Sequence, residues 1–163
     1  MTIANPLLAD WNTPYGLPPF DQIKTEHYGP ALDAAMAEHN AEVMALADSA
    51  LPPTFENTIA PFDRSGALFS RVVLTFFNQT SSQTGEALQA VETAYMPKIS
   101  LHSTRFLLDP KLFARVDAVY QARHMSGLTP VQVRLTEKVH LDFVLAGAKL
   151  DDAGRKRTAE IVE

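Results

Sequence analysis

The stretch from Thr54 to Thr80 constrains the fold most, because its apolar residues recur at helical spacing. They step by four and three positions, a pattern that places them in a narrow stripe on one side of a helix and is typical of a seam between packed helices. Gly66 falls in the same register, where its missing side chain would let another helix approach closely. We therefore expect this stretch to form the centre of a helical bundle. The stripe consists of Phe55, Ile59, Phe62, Phe69, Val73 and Phe76.

The ends of this stretch carry helix start and stop signals. Thr54 is a favourable N-cap residue, and the polar run that begins at Asn78 ends the pattern. Pro61 interrupts the helix, because a proline ring disrupts the turn before it. We therefore expect either a kink at Pro61 or a helix that starts near Thr58.

Similar periodicity predicts helices over residues 30–47, 86–107, 110–124, 130–146 and 152–163. Pro30 suits a first helical turn, and Asp109-Pro110 and Thr129-Pro130 each combine an N-cap residue with a first helical proline. Pro97 should bend the predicted helix over residues 86–107. The predicted fold class is all-α, an antiparallel bundle of about five to six helices joined by short loops.

Residues 1–24 differ from the rest of the chain. Four of the eleven prolines lie between Asn5 and Lys24, and they favour extended or turn backbone. The same segment is rich in apolar side chains such as Leu7 and Trp11, which a solvated linker would not carry. We predict an extended proline-rich arm over residues 1–24 that packs on a helical domain over residues 25–163. The last predicted helix reaches Glu163 without a stop signal, so we expect the chain to be part of a longer protein.

The composition excludes several classes of function. A net charge of −5 disfavours nucleic acid as a partner. The absence of cysteine excludes disulfides, a thiol nucleophile and a thiolate metal site. The first residues lack the pattern of a signal peptide, and no apolar run approaches the roughly 18 residues of a membrane span. We expect a cytoplasmic protein that does not bind membranes.

No complete catalytic or metal site can be recognised in the sequence. Zinc peptidases place two histidine ligands one helical turn apart in the motif His-Glu-x-x-His, and none of the five histidines is followed by Glu. The inverted motif His-x-x-Glu-His nearly occurs at His39 and Glu42, but Val43 replaces the second histidine. His39 and His102 fall on apolar stripes, which predicts hydrogen-bonded core or interface histidines.

Di-iron bundles require two Glu-x-x-His elements and two further glutamates. Glu137 and His140 form one such element. The predicted helix over residues 86–107 offers Glu92, but the chain contains no second Glu-x-x-His element. We therefore interpret His140 as a half-buried histidine beside a surface Glu137. The charges of Arg115, Arg123, Lys149, Arg155, Lys156 and Arg157 are interpreted as solvated helix faces. The prediction is that no catalytic, cofactor-binding or metal-ligating residue lies in this chain.

Three stretches of the chain, given at the end of this paragraph, together resemble a known family. In their order along the chain, they are similar to the N-terminal region of bacterial peptidyl-dipeptidases (dipeptidyl carboxypeptidases), in the zinc metallopeptidase family that includes thimet oligopeptidase, neurolysin and oligopeptidase A. The arm with Trp11, Tyr15 and Gly16 resembles the peptidyl-dipeptidases more than oligopeptidase A. The stretches are NPLLADWNTPYGLPPFDQIKTEHYGPALDAAMAEH, PPTFENTIAPFDRSGALFSRVVLTFFNQTSS, and LDPKLFARVDAVYQAR with VHLDFVLAGAKLDD.

The resemblance implies an architectural role. In that family the zinc ligands and the residues that bind the substrate lie far downstream, so none is carried onto this chain. The N-terminal helices form part of one wall of a channel that admits short peptides. The resemblance thus implies a substrate-gating domain, inactive alone, of a zinc peptidase that releases dipeptides from peptide C-termini. Its partners would be short peptides and the downstream catalytic domain.

Two other hypotheses remain open. The first is a free-standing all-α interaction module, in which Phe69, Phe76 and Phe77 form a groove for partner helices. The second is a small metal-binding bundle that uses Glu137 and His140.

Overall fold

The computed structural model describes residues 5–83, 85–150 and 154. None of these residues lies in a β-strand, which confirms the predicted all-α class. A π-helical turn, Phe55–Ile59, precedes the second helix, and short 3-10 turns occupy Pro14–Gly16 and Phe106–Leu108. The helices of the described part are α1 (Thr25–Ala47), α2 (Ala60–Arg64), α3 (Ala67–Ser82), α4 (Glu86–Arg105), α5 (Pro110–Ala122) and α6 (Pro130–Leu145). Apart from the five-residue α2, each has 13 or more residues.

The chain divides into two compact units. Unit 1 contains the residues up to Glu42 together with Ser65–His102, and unit 2 contains Val43–Arg64 together with the residues from Ser103 onward. Helices α1 and α4 therefore each contribute to both units. The division into an arm over residues 1–24 and a helical domain over residues 25–163 stays a prediction.

The core of unit 1 is formed by α1, α3, α4 and the start of the arm. Leu7 is fully buried in this core, and the Arg71 side chain donates a hydrogen bond to the Leu7 carbonyl at 3.3 Å. Farther along the arm, Tyr15 and Leu17 are exposed. The buried core residues are Leu7, Tyr28, Ala31, Leu32, Ala35, Phe69, Val72, Phe76, Leu88 and Ile99.

The core of unit 2 is formed mainly by the π-helical turn, α5 and α6, whose starts follow the local signals in the sequence. The Asp109 side chain accepts a hydrogen bond from the Leu112 N–H at 2.8 Å, and Thr129 forms a capping box with Gln132. The predicted starts at Pro110 and Pro130 are therefore confirmed. The buried core residues are Val43, Ala47, Phe55, Ile59, Phe106, Leu112, Val116, Val119, Val139 and Phe143.

The prediction of one helix from Thr54 to Thr80 is wrong. Thr54 does cap a helical segment, with Asn57 completing a capping box. The helix then ends at Arg64, and α3 starts again after Gly66, which has the left-handed backbone conformation with φ of 69°. The break lies at Gly66 rather than at Pro61 because a positive φ cannot continue a right-handed helix.

The apolar stripe of this stretch is consequently shared between two cores. Phe55 and Ile59 are buried in unit 2, whereas Phe69 and Phe76 are buried in unit 1. Phe77 packs against the unit 1 core as a partly buried residue. Phe69 and Phe76 are therefore not available as an exposed docking groove, contrary to the interaction-module hypothesis.

Two other helix boundaries differ from the predictions or lie outside the described residues. Helix α1 begins at Thr25 rather than at Pro30, because the His27 side chain accepts a hydrogen bond from the Lys24 N–H at 3.0 Å and thereby caps the chain earlier. The sixth predicted helix, over residues 152–163, lies outside the described residues except for Gly154. No helix of the described part is both long enough and apolar enough to cross a bilayer.

Candidate functional site

His39 and His102 form a direct pair in unit 1. His39 Nδ1 lies 3.1 Å from His102 Nε2, and the two rings meet edge to face with centroids 5.1 Å apart. The Phe69 ring lies 4.5 Å from the His102 ring. Because one nitrogen must donate a proton to the other, the facing nitrogens satisfy each other. The prediction that His39 and His102 are hydrogen-bonded histidines is therefore confirmed.

The helix break at Gly66 lies against this pair. The Gly66 N–H donates a hydrogen bond to Glu42 Oε2 at 2.7 Å, and Ser65 Oγ lies 3.3 Å from His39 Nε2. A Cβ atom on Gly66 would lie 2.7–2.9 Å from atoms of the His39 ring. Glu42, the acidic residue of the near-miss motif, thus binds the backbone of the break. The sequence analysis missed this role, although a Ser-Gly dipeptide is a recognised turn signal.

Glu137 and His140 do not point to a common ligand. The Arg123 Nε donates to Glu137 Oε1 at 3.2 Å, whereas His140 Nε2 lies 2.9 Å from Asp117 Oδ1. The His140 ring stacks on Tyr120 with centroids 3.8 Å apart and planes 6° apart. His140 is also buried rather than half-buried. This element forms part of a structural network between α5 and α6.

The donor sets of the described residues do not match a metal centre. Across 5–83, 85–150 and 154, no three His, Asp or Glu side chains are grouped so that they could hold a metal ion. Glu92 lies on α4 in unit 1, while Glu137 and His140 lie on α6 in unit 2. A zinc ion of the kind that the resemblance implies would need ligands from outside the described residues.

Arg115 is the clearest correction to the sequence analysis, which assigned it to a solvated helix face. Its side chain is buried, and the residue is 7% exposed. The guanidinium donates to the carbonyl oxygens of Ser49 and Leu51 at 2.8 and 2.9 Å, and to Asn57 Oδ1 and Thr58 Oγ1 at 3.2 Å each. Arg115 therefore holds the segment between α1 and the π-helical turn.

The other charged residues that the sequence analysis assigned to solvated helix faces differ in their surroundings. The Arg123 guanidinium stacks on the Tyr120 ring at 3.8 Å, and its side chain is 18% exposed. Lys149 is about half exposed and lies 3.8 Å from Asp117. Arg155, Lys156 and Arg157 lie outside the described residues.

A pocket in unit 1 combines helix ends with a buried hydroxyl. The starts of α1 and α4 and the end of α3 line it, together with Tyr28. Burial raises the pKa of Tyr28 from 10.0 to about 12. The Tyr28 hydroxyl has no hydrogen-bond partner among the described residues. Buried polar atoms of Asn40, Arg71 and Arg115 likewise have no hydrogen-bond partner among the described residues, but these three residues do not line this pocket.

Comparison with known proteins identifies relatives along nearly the whole chain. A dipeptidyl carboxypeptidase of Escherichia coli is 41% identical over 157 residues, which are 96% of this chain. The chain is a relative of the bacterial dipeptidyl carboxypeptidases. A second dipeptidyl carboxypeptidase, of Salmonella typhimurium, is 40% identical over 153 residues. No protein-family model matches the chain.

Oligopeptidases A are more distant relatives. The oligopeptidase A of Salmonella typhimurium is 26% identical over 159 residues. The predicted resemblance is therefore confirmed, with the greater similarity to the dipeptidyl carboxypeptidases. The chain spans 22–23% of the length of these relatives.

Proposed function

We propose that this chain is the N-terminal, channel-wall region of a zinc peptidase that releases dipeptides from the C-terminus of short peptides. In this proposal the helices restrict access of substrates, and the chain has no peptidase activity alone. The observation that carries the proposal is the 41% identity over 96% of the chain to a protein of which the chain spans only 23%.

The side chains of the described residues are consistent with a structural role. Three of the five histidines, His39, His102 and His140, contact Asp117, Ser65 or each other. Zinc, in this proposal, is bound by residues of the parent enzyme outside this chain. The proposed partners are short peptides and the catalytic part of the same protein, and the proposed compartment is the cytoplasm.

The decisive experiment compares the native gene product with the 163-residue chain. The intact mass of the native product is measured first, and we expect it to be several times that of the chain. Both proteins are then assayed for release of a dipeptide from an N-blocked tripeptide, with and without a zinc chelator. We expect release only by the native product, and loss of that release with the chelator.

Two outcomes would contradict different parts of the proposal. A native product of about 17.9 kDa would leave the similarity as shared ancestry without a peptidase context. Zinc-dependent release by the 163-residue chain would disprove the claim that it is inactive alone.

A free-standing interaction module is the alternative, and exposed apolar side chains favour it. Met125, Val131 and Leu145 are each more than three-quarters exposed in unit 2. If these side chains form one continuous apolar surface, it would equally suit a further part of the same protein. The mass of the native product therefore discriminates between the two functions.

A further inference from the structure

Helix α6 carries exposed apolar side chains on the face opposite its buried one. Val139 and Phe143 lie on the buried face, in the core of unit 2. On the other side of the helix Val131 is 78% exposed, Leu141 51% and Leu145 76%. A helix at the surface of a globular protein normally has polar residues on its outer face. Helix α6 departs from this pattern because it is apolar on two sides.

The exposed residues have the spacing of a seam between helices. Along the outer face, positions alternate by three and four residues, as do the a and d positions of a heptad that face a partner helix. The spacing therefore indicates that the occupant of this face is another helix. The outer stripe of α6, as we call this face, consists of Val131, Arg134, Lys138, Leu141 and Leu145.

A groove beside the outer stripe can receive side chains of such a helix. Its volume is about 470 Å³. Leu135 lines the groove and also packs against the core of unit 2 as a partly buried residue. Apolar side chains that enter the groove would leave water and contact apolar atoms. The residues that line it are Pro130, Val131, Arg134, Leu135 and Lys138.

The charges of the outer stripe restrict the chemistry of the occupant. Lys138 Nζ binds Asp142 at 2.8 Å. Arg134 Nη1 lies 3.9 Å from Glu137 Oε2, whereas the other oxygen of that carboxylate accepts from Arg123 at 3.2 Å. A helix that covers Arg134 removes water from a cation whose ion pair is long, which is costly unless the helix supplies a carboxylate. The occupant therefore combines apolar side chains with an acidic residue opposite Arg134.

The size of the outer stripe indicates which kind of molecule covers it. Helix α6 has 16 residues. At about 1.5 Å per residue and about 10 Å in width, its outer face measures roughly 240 Å² in projection. A stable interface between separate proteins buries about 800 Å² on each partner, so this face alone is too small for an independent protein. A covalently attached helix docks without the full entropic cost of association, so a smaller face suffices.

Charge gives a further reason against a second copy of the chain as the occupant. Lys138 lies at the middle of the outer stripe, seven positions from Val131 and seven from Leu145. A symmetric antiparallel pairing centred on the stripe therefore brings the two Lys138 side chains together, where like charges repel.

We infer that the outer stripe of α6 is an intramolecular docking face, covered in the native product by an apolar helix from outside the 163-residue chain that places an acidic residue against Arg134. The inference rests on the proposed function in one respect, which is that the native product is longer than this chain. The chain spans 22–23% of the length of its relatives, which supports that condition. The inference deepens the proposed function because it names the face through which the two parts meet.

The test compares the reactivity of thiols on the outer stripe in the 163-residue chain and in the native product. Leu141→Cys and Leu145→Cys each introduce a single thiol, because the chain contains no cysteine. The folded proteins are labelled with N-ethylmaleimide, and mass spectrometry of the modified peptide separates this thiol from any cysteine elsewhere in the native product. We expect labelling to be at least about tenfold slower in the native product, because a covered thiol reacts only when the contact opens.

Two further variants separate the outer stripe from general effects. Met125→Cys is the matched control, because Met125 is 86% exposed in unit 2 and lies outside α6. It should be labelled at similar rates in both proteins. Arg134→Glu places two acidic residues against each other, so it should speed the labelling of Leu141→Cys in the native product and leave the rate in the 163-residue chain unchanged. Circular dichroism and complete labelling after denaturation establish that each variant is folded and that its thiol is intact.

Several results would overturn the inference, and they differ from those that overturn the proposed function. Equal labelling rates of the outer stripe in the chain and in a longer native product would disprove the docking face and leave the peptidase proposal standing. The same holds for equal slowing at Met125→Cys, or for an unchanged rate in the Arg134→Glu native product. Labelling of the 163-residue chain that slows as its concentration rises would identify a second copy as the occupant instead.

The converse result concerns the proposed function alone. A longer native product with a protected outer stripe and no release of dipeptides would contradict the peptidase proposal and support the docking face. A native product of about 17.9 kDa would leave no helix to cover the stripe, and would overturn both.

Discussion

Arg71 in unit 1 and Arg115 in unit 2 hold non-helical segments against helices, but in different surroundings. Arg71 donates one hydrogen bond to the Leu7 carbonyl, and its guanidinium lies 4.8 Å from the centre of the Trp11 ring. Arg115 donates four hydrogen bonds and is nearly inaccessible to solvent. Among the described residues neither arginine forms an ion pair; a backbone carbonyl accepts from Arg71, and backbone, amide and hydroxyl oxygens accept from Arg115.

The difference between the two arginines is one of burial and of the number of acceptors, because the residue type is the same. A buried acceptor that loses its donor costs more than an exposed one, because water cannot replace the donor. We therefore expect the segment held by Arg115 to depend on that side chain far more than the arm depends on Arg71.

The largest expected effect is that of Arg115→Met. It leaves the Ser49 and Leu51 carbonyls and the Thr58 hydroxyl without their donor, and we expect a loss of about 3 kcal/mol in the free energy of unfolding. Arg71→Met should cost about 1 kcal/mol. Urea denaturation measures both, and amide hydrogen exchange shows whether residues 49–58 open first in Arg115→Met.

The control for this pair is Arg134→Met, because the Arg134 side chain is 82% exposed. It should change the free energy of unfolding by less than about 0.5 kcal/mol. Equal losses for Arg71→Met and Arg115→Met would refute the idea that acceptor burial separates the two arginines.

A second matched pair consists of Gly66 in unit 1 and Gly127 in unit 2, whose φ angles are 69° and 68°. A Cβ atom on Gly127 meets nothing within 4 Å, whereas one on Gly66 meets the His39 ring. Gly127→Ala should cost about 1 kcal/mol through backbone strain alone. Gly66→Ala should cost about 2–3 kcal/mol, because strain and steric overlap add.

A double variant isolates the steric part of the Gly66 effect. In the His39→Ala background the ring is absent, so Gly66→Ala should then cost about as much as Gly127→Ala. Thermal or urea unfolding of the single and double variants measures this difference. An unchanged cost of Gly66→Ala in that background would assign the whole effect to the backbone.

The third prediction concerns alkaline pH and unit 1. Burial raises the pKa of Tyr28 to about 12 from a model-compound value of 10.0. Between pH 10 and 12 the unfolded chain therefore releases a proton that the folded chain retains. Stability attributable to Tyr28 is present below pH 10 and is lost as the pH rises toward 12.

Urea midpoints measured across this pH interval test the prediction. Tyr28→Phe should flatten the decline of stability with pH. Tyr95→Phe serves as a comparison, because burial and then the hydrogen bond with Asp33 raise the pKa of Tyr95 as well. A decline that Tyr28→Phe leaves unchanged would contradict the role of Tyr28.

The sequence predicted the features that depend on neighbouring residues. The starts at Pro110 and Pro130 follow from N-cap side chains that bond to N–H groups three residues ahead. Periodicity also predicted that His39 and His102 lie on buried faces, although it did not predict that they bind each other across 63 residues.

Features that depend on distant residues could not be predicted in this way. The sequence predicted Arg115 to be a surface residue of an amphipathic helix. Its hydrogen-bond acceptors lie 57–66 positions earlier in the chain, where local patterns give no sign of them. The break at Gly66 was missed because apolar residues on either side keep helical spacing while they enter different cores. The pocket at Tyr28 likewise requires three helix ends that the sequence separates.

The smallest expected effect lies in the arm, at Tyr15. This residue has a φ of 61° and is 98% exposed, so it bears the cost of the left-handed conformation without the benefit of burial. Asn adopts this conformation more readily than Tyr, and Tyr15→Asn should raise the free energy of unfolding by about 0.5–1 kcal/mol. Leu17→Asn is the control, because Leu17 is exposed with an ordinary φ of −70° and should give no gain.

Tyr15→Asn also tests how far along the arm the stabilising effect of Arg71 extends. The arm is anchored at Leu7 and Trp11 and packs again at Ile23, with Tyr15 between these contacts. If the arm unfolds together with unit 1, the gain from Tyr15→Asn appears in the urea midpoint, as we expect. If Tyr15→Asn only slows amide exchange around Gly16 and leaves the midpoint unchanged, the arm beyond Trp11 opens by itself. The weaker anchor at Arg71 would then stabilise only the first residues of the arm.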